Sequence, residues 1–237
     1  MFHWLEKNPF FFAVGVFVAI AIAGLIEILP NFAQASRPVI GAKPYTPLEI
    51  AGRQVYIKES CNACHSQLIR PFKSETDRYG KYSLSGEYAY DRPFLWGSKR
   101  TGPDLHRVGN YRTSDWHENH MKNPSSVVPG SIMPAYPWMF QKSVNVDVAF
   151  AEAYTNKHMF NTPYDKELKT ADGQTIKVEL EGSATDKAAA YENAKKLMLK
   201  QAEEIASGMK NQDVKDALKN GDIEEIVALI AYLNSLK

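Results

Sequence analysis

Cysteine is scarce in this chain: 237 residues contain two, Cys61 and Cys64. A zinc site built on them would want a second cysteine pair or a spaced histidine pair, and no further cysteine exists. A βαβ pattern is also missing around them, which removes the usual setting of a thioredoxin-like dithiol. With both thiols in one motif nothing remains for a structural disulfide, so thiol usage does not reveal the compartment. Charge of one sign is lacking too. The 28 basic and 27 acidic residues leave a formal net charge of +1, which gives no footprint for nucleic acid and no strong pull toward anionic lipid. Length and a 44% hydrophobic content permit one good-sized domain or a small domain with appendages.

What is present is concentrated in Cys61-Asn62-Ala63-Cys64-His65. This C-x-x-C-H run is the signature of covalent c-type haem attachment. Two thiols add across the haem vinyl groups as thioethers, and the adjacent imidazole supplies one axial nitrogen to the iron. The motif points to an electron carrier, and to the outer side of an energy-transducing membrane, where c-type attachment takes place.

Residues 10–26 form an unbroken run of apolar and small residues, extended past Glu27 by Ile28 and Leu29. That is the short end of a membrane span. A cleavable leader is the competing reading, because Pro30 is expected to end the helix and Ala33-Gln34-Ala35 resembles a small-residue cleavage site. Leader cores run about 7–15 residues behind a basic start, whereas here Glu6 cancels Lys7. The expectation is an uncleaved anchor over residues 1–36. Charge does not orient it, since Lys7 precedes the run and Arg37, Lys43 and Arg53 follow. The haem does: N-terminus inside, bulk outside. Trp4 and Phe10 to Phe12 suit an interfacial belt.

After a proline-punctuated linker, Thr46-Pro47-Leu48-Glu49 reads as a capping box with proline at the first helical position. The helix it opens runs into the haem cysteines. Near the C-terminus, Asp222 with Glu225 reads as a second cap, ahead of an amphipathic helix carrying Ile223, Ile226, Val227, Ile230 and Leu233. These helices, with Gly102-Pro103-Asp104-Leu105 and a later Met-Pro, resemble a class I cytochrome c. That resemblance implies a crossing of first and last helices, with Gly52 against Tyr232 as candidates. It implies that the carbonyl of Pro103 orients the proximal His65 imidazole, and that Met133, in Pro129-Gly130-Ser131-Ile132-Met133-Pro134, is the sixth ligand. Met139 is the fallback, and His106, His117 and His120 are the bis-histidine rivals. Ser114 is the expected cap of the helix bearing the last two.

Longer runs resemble one family more closely: Glu59 through Phe72, Tyr79-Gly80, Ser83 through Gly86, Phe94-Leu95-Trp96-Gly97-Ser98-Lys99-Arg100-Thr101-Gly102-Pro103-Asp104-Leu105, Asp115-Trp116-His117, and Met133-Pro134-Ala135-Tyr136-Pro137-Trp138. They are similar to the mono-haem subunit II of cbb(3)-type cytochrome c oxidase. The resemblance implies one covalent haem c, a single-pass anchor in the bacterial inner membrane with the haem domain periplasmic, and docking on a catalytic haem–copper subunit beside a di-haem cytochrome c subunit. A soluble cytochrome c is a further donor, and a calcium ion lies at the catalytic-subunit interface, with Ser98 a contributor. The chain itself would have no active site. Trp96, Lys99 and Arg100 have the character of a docking anchor, the cations meeting haem propionates or acidic partner groups.

The expected fold is mainly α: an N-terminal transmembrane helix, then a class I cytochrome c-like haem domain over 37–140 and 211–237, with 141–210 inserted. In the insertion, Leu168 to Thr170 and Thr175 to Leu180 flank Ala171-Asp172-Gly173-Gln174 as a hairpin, and Thr185 to Ala206 reads as a helix ending near Gly208. Two other functions fit the anchor, C-x-x-C-H and Met order: the anchored cytochrome subunit of nitric oxide reductase, and a free-standing carrier.

Overall fold

The computed structural model describes residues 2–33, 38–109, 111–170 and 172–236. It divides into two compact units, Met1–Arg37 and Pro38–Lys237. The first holds α1 (Phe2–Lys7) and α2 (Pro9–Ala33). The break falls at Asn8, whose side-chain amide donates to the Trp4 carbonyl at 2.7 Å, and Pro9 restarts the chain at a position where its missing N–H costs nothing. Trp4 and Phe11 pack with ring centroids 5.3 Å apart. Pro9–Leu29 is 21 residues of mean hydropathy 2.6 with none of it buried. At about 1.5 Å per residue it spans about 31 Å, the thickness of a hydrocarbon core, so α2 is long and apolar enough to cross a membrane. The helix continues through Pro30 to Ala33, contrary to the expectation that Pro30 ends it. In a last turn, proline forfeits a single backbone bond while its φ remains helical. The remainder of the candidate cleavage stretch, Gln34 and Ala35, lies outside the described residues.

In the second unit α3 (Pro47–Lys58) opens on the expected box: Glu49 N–H donates to Thr46 Oγ1 at 3.2 Å, and Thr46 N–H donates to the Glu49 carboxylate at 2.8 Å. There follow α4 (Lys73–Tyr79), α5 (Ser114–Lys122), α6 (Pro124–Val127), α7 (Val146–Phe160), the hairpin β1 (Glu167–Lys169) and β2 (Thr175–Lys177), α8 (Lys187–Ser207), α9 (Gln212–Lys219) and α10 (Glu225–Ser235). The strands are antiparallel, with Leu168 opposite Ile176, and Gly173 takes the positive φ of 83° that their turn requires.

The core is organised around α10, which crosses α3 at Gly52. A Cβ on Gly52 would lie 1.8 Å from the Ala228 carbonyl oxygen and 2.8 Å from Tyr232 Cβ. Only glycine allows so close an approach. Tyr56 and Tyr232 then meet edge to face at 5.4 Å. The last helix differs from the amphipathic one expected: Glu225 through Leu233 are all buried. The reason is α8, whose ridge of Ala190, Ala194, Met198, Ala202 and Ala206 is buried and packs on α10 and α3. Helix α7 likewise packs on α3 and on α8.

Two caps also differ from expectation. Asp222 does not cap α10. Backbone bonds hold the entry, with Val144 N–H donating to Ile223 O at 2.8 Å and Glu225 N–H to Lys142 O at 2.7 Å. Thr113, not Ser114, occupies the α5 cap position, and its hydroxyl is spent on Asp115 at 2.6 Å. Helix α7, absent from the pattern reading, is capped by Asn145, which accepts from Val148 N–H at 3.0 Å.

Candidate haem centre

Helix α3 ends at Lys58, and Ser60 turns the chain with a φ of 57°, a left-handed conformation uncommon for a non-glycine residue. A single 3₁₀ turn, Cys61–Ala63, follows. Cys64 N–H and His65 N–H both donate to the Cys61 carbonyl, at 3.2 and 2.9 Å, so both thiols and the imidazole issue from one tight bend. Burial, reinforced by Glu59, pushes the Cys61 thiol up to about 12. A thioether sulfur carries no charge and meets no such penalty.

His65 Nδ1 lies 2.9 Å from the Pro103 carbonyl. A carbonyl only accepts, so Nδ1 carries the proton and the lone pair is left on Nε2, the tautomer a metal needs. Burial lowers the pKa of His65, which favours the neutral ring. Gly102 lies flat against that ring: a Cβ there would come within 2.2 Å of His65 Cε1. The segment 96–105 is laced to the haem turn by Gln67 N–H to Trp96 O, Gly102 N–H to Cys64 O and Leu105 N–H to Ser66 O, each 2.9 Å. Asp104 ties the strap from below, accepting from Ser66 Oγ at 2.6 Å, Leu68 N–H at 2.8 Å and His106 N–H at 2.9 Å.

Arg100 is not free to meet propionates or a partner. Its guanidinium donates to Ser66 Oγ, Leu68 O and the buried Glu75 carboxylate at 2.8, 2.6 and 2.7 Å. The Arg100 and Arg70 guanidinium bonds hold the Glu75 carboxyl down at about 2. Lys99 and Trp96 remain exposed, and Trp96 stacks on Phe94 at 4.6 Å. Ser98 is exposed on the same loop, and among the described residues no group of three or more His, Cys, Asp or Glu side chains is placed to hold a metal ion.

Met133 is half-buried against the hydrophobic core, its N–H donating to Ser131 Oγ at 3.2 Å. Met139 is fully buried within the core cluster. His106 is a hydrogen-bonded core residue: Ser83 Oγ and His106 Nδ1 share a hydrogen bond at 2.5 Å, the ring stacks on Tyr88 at 4.8 Å, and burial drives its pKa down to about 4.

The cytochrome c oxidase mono-haem subunit family, FixO, matches residues 2–237. The chain belongs to this family. No curated protein matches it. As a FixO chain it has one haem to hold and a place in a cytochrome c oxidase beside a catalytic subunit. Its residues fit that group: paired thiols and a correctly protonated imidazole share one turn, and ring nitrogens of His117 and His120 are buried without any hydrogen-bond partner.

Three residues brace the FixO haem turn, Gln67, Tyr56 and Tyr232, of which only Tyr232 was expected to matter, as the partner of Gly52 at the helix crossing. Gln67, 1% exposed, exchanges hydrogen bonds with the Tyr232 hydroxyl at 3.0–3.1 Å, while its carbonyl accepts from Tyr88 at 2.6 Å. Tyr56 donates to the His65 carbonyl at 3.3 Å. Helical periodicity marks Tyr56 and Tyr232 as inward-facing, but a hydroxyl partner more than 160 positions away leaves no trace in a local pattern.

Proposed function

We propose that this chain is the electron-transfer subunit of a cbb(3)-type haem–copper oxidase in aerobic respiration. Cys61 and Cys64 would hold a haem c through thioethers, and His65, through Nε2, and Met133, through its sulfur, would serve as its iron ligands. When bound, the haem would supply a one-electron couple. With those ligands from the protein, the chain would bind no oxygen itself and would serve to pass electrons to the catalytic subunit. They arrive from the di-haem cytochrome c subunit or a soluble cytochrome c. Helix α2 anchors the chain in the bacterial cytoplasmic membrane with its N-terminus inside and the haem domain periplasmic. Residues 37–140 and 211–237 carry the haem, 141–210 is the inserted cover, and Ser98 faces a calcium ion shared with the catalytic subunit.

The observation that carries this reading is the 2.9 Å contact from His65 Nδ1 to Pro103 O, backed by Gly102 on the ring face. It fixes tautomer and orientation before any iron is present. The test is purification in mild detergent with identification of every co-purifying subunit. A catalytic haem–copper subunit and a di-haem cytochrome are expected. Recovery of the chain alone in the soluble fraction with Ser36 as its first residue refutes the reading, and recovery with a nitric oxide reductase replaces it.

A further inference from the structure

Two histidines of α5 are unused by that reading. His117 is 2% exposed, yet neither of its ring nitrogens has a hydrogen-bond partner, and Nδ1 of His120 is likewise buried and unpaired. A neutral imidazole presents one donor and one acceptor, and leaving such groups buried and unmet forfeits the hydrogen bonds they made to water. The two rings are rigidly held. Trp116 stacks on His120 at 4.6 Å and 18°, and meets His117 edge-on at 5.3 Å. The Arg112 guanidinium covers the indole at 4.9 Å.

Helix α5 also borders the haem turn. Tyr136 N–H donates to the Met121 carbonyl at 2.8 Å, tying α5 to the loop that carries Met133. Tyr136 feels Cys61 and Cys64, and His120 feels His65. Burial comes first in lowering the pKa of both α5 histidines, and the ionisable groups that add to it are His120 and Arg112 for His117, and His65 and Arg112 for His120, every one a cation or capable of becoming one. Carboxylates on the same helix are turned elsewhere: Asp115 pairs with Thr113 and Lys210, and Glu118 accepts from Lys210 N–H at 2.7 Å. The result is a set of buried, unpaired nitrogens with cationic groups acting on them and, among the described residues, no carboxylate acting on them.

We propose that His117 and His120 are positioning residues whose unpaired ring N–H groups hydrogen-bond a haem propionate, with Arg112 behind Trp116 supplying the compensating positive field. The proposal rests on the haem reading above. An N–H donated to a carboxylate is a charge-assisted bond. It offsets a negative charge that otherwise stabilises ferric iron, so removing the donor lowers the haem potential.

The experiment uses the detergent-purified oxidase complex with His117→Leu, His120→Leu, His117→Gln or His120→Gln in this chain. The midpoint potential of its haem c, the propionate bending bands in resonance Raman and the near-infrared methionine–iron band are recorded. Both leucine variants are expected to shift the potential downward and displace the propionate bands while keeping the near-infrared band, and the glutamine variants, which retain a donor, to recover much of both shifts. Wild-type potential and propionate bands in the leucine variants overturn the proposal. Loss of the near-infrared band overturns it differently, by showing that the histidine holds the methionine ligand in place and not a propionate. If a leucine variant fails to assemble, exposed Arg112→Gln carries the test: its potential falls if the field balances an anion, and an unchanged value refutes the idea. Absence of covalent haem from the wild-type chain would instead sink the underlying haem reading.

Discussion

Gly102→Ala isolates the support of the proximal histidine. Gly102 has no positive φ to lose, so alanine is acceptable to the backbone and the only obstacle is the His65 ring. The new Cβ would sit 2.2 Å from Cε1, and ring or strap must give by about 1.2 Å to regain the 3.4 Å of ordinary contact. A displacement of that size, applied to the His65 Nδ1 to Pro103 bond of 2.9 Å, takes it past hydrogen-bonding range. Overpacking costs about 1–3 kcal/mol, and the lost bond about 0.5–1.5 kcal/mol more. A loss of about 2 kcal/mol corresponds to about 4–8 °C in Tm for a unit of 150–250 residues. Covalent haem staining should persist, because Cys61 and Cys64 are untouched, while thermal unfolding and redox titration should both shift. A variant with wild-type Tm and wild-type potential would refute the claim that Gly102 and Pro103 hold the ring.

Gly52→Ala forces α3 and α10 apart, since its Cβ would fall 1.8 Å from the Ala228 carbonyl oxygen. The expected loss, at or above the upper end of about 1–3 kcal/mol, is read as a lowered urea midpoint. Glu75 has its carboxyl held at about 2 in the folded chain, against roughly 4.3 when unfolded. Its contribution is therefore present above that unfolded value and lost as pH falls toward 2, and Glu75→Gln should flatten the acid limb of a stability–pH curve and cost about 1–3 kcal/mol at neutral pH. Met133→His is expected to abolish the near-infrared methionine–iron band and lower the haem potential; persistence of that band moves the ligand to Met139 or elsewhere.

The long apolar helix α2, the capping box at Thr46, the helix crossing at Gly52 and the hairpin turn at Gly173 were all legible because each is written in a short local pattern. What escaped was set by distant partners. The burial of α10 on every side depends on α8, and nothing in residues 225–235 announces that their outer face will be covered. Arg100 read as a docking cation because it stands beside Lys99 and close to the aromatic Trp96, whereas its partner Glu75 lies 25 positions upstream. The unpaired nitrogens of His117 follow from burial that a nine-residue helix of low hydrophobicity does not advertise.

The tyrosine brace beneath the haem turn bears on how the chain is made. Gln67 is locked by Tyr232, so this wall of the turn is finished by α10, a helix translated long after it. Glu225 leaves the ribosome 160 residues after His65, on the order of ten seconds later at roughly 5–20 residues per second. During that interval Cys61, Cys64 and His65 belong to an open segment whose closing partner does not yet exist. The Cys61 thiol, half-buried in the finished fold, is then as open as the exposed Cys64 thiol. Access to Cys61 and a braced turn are opposite demands, and chain order separates them in time.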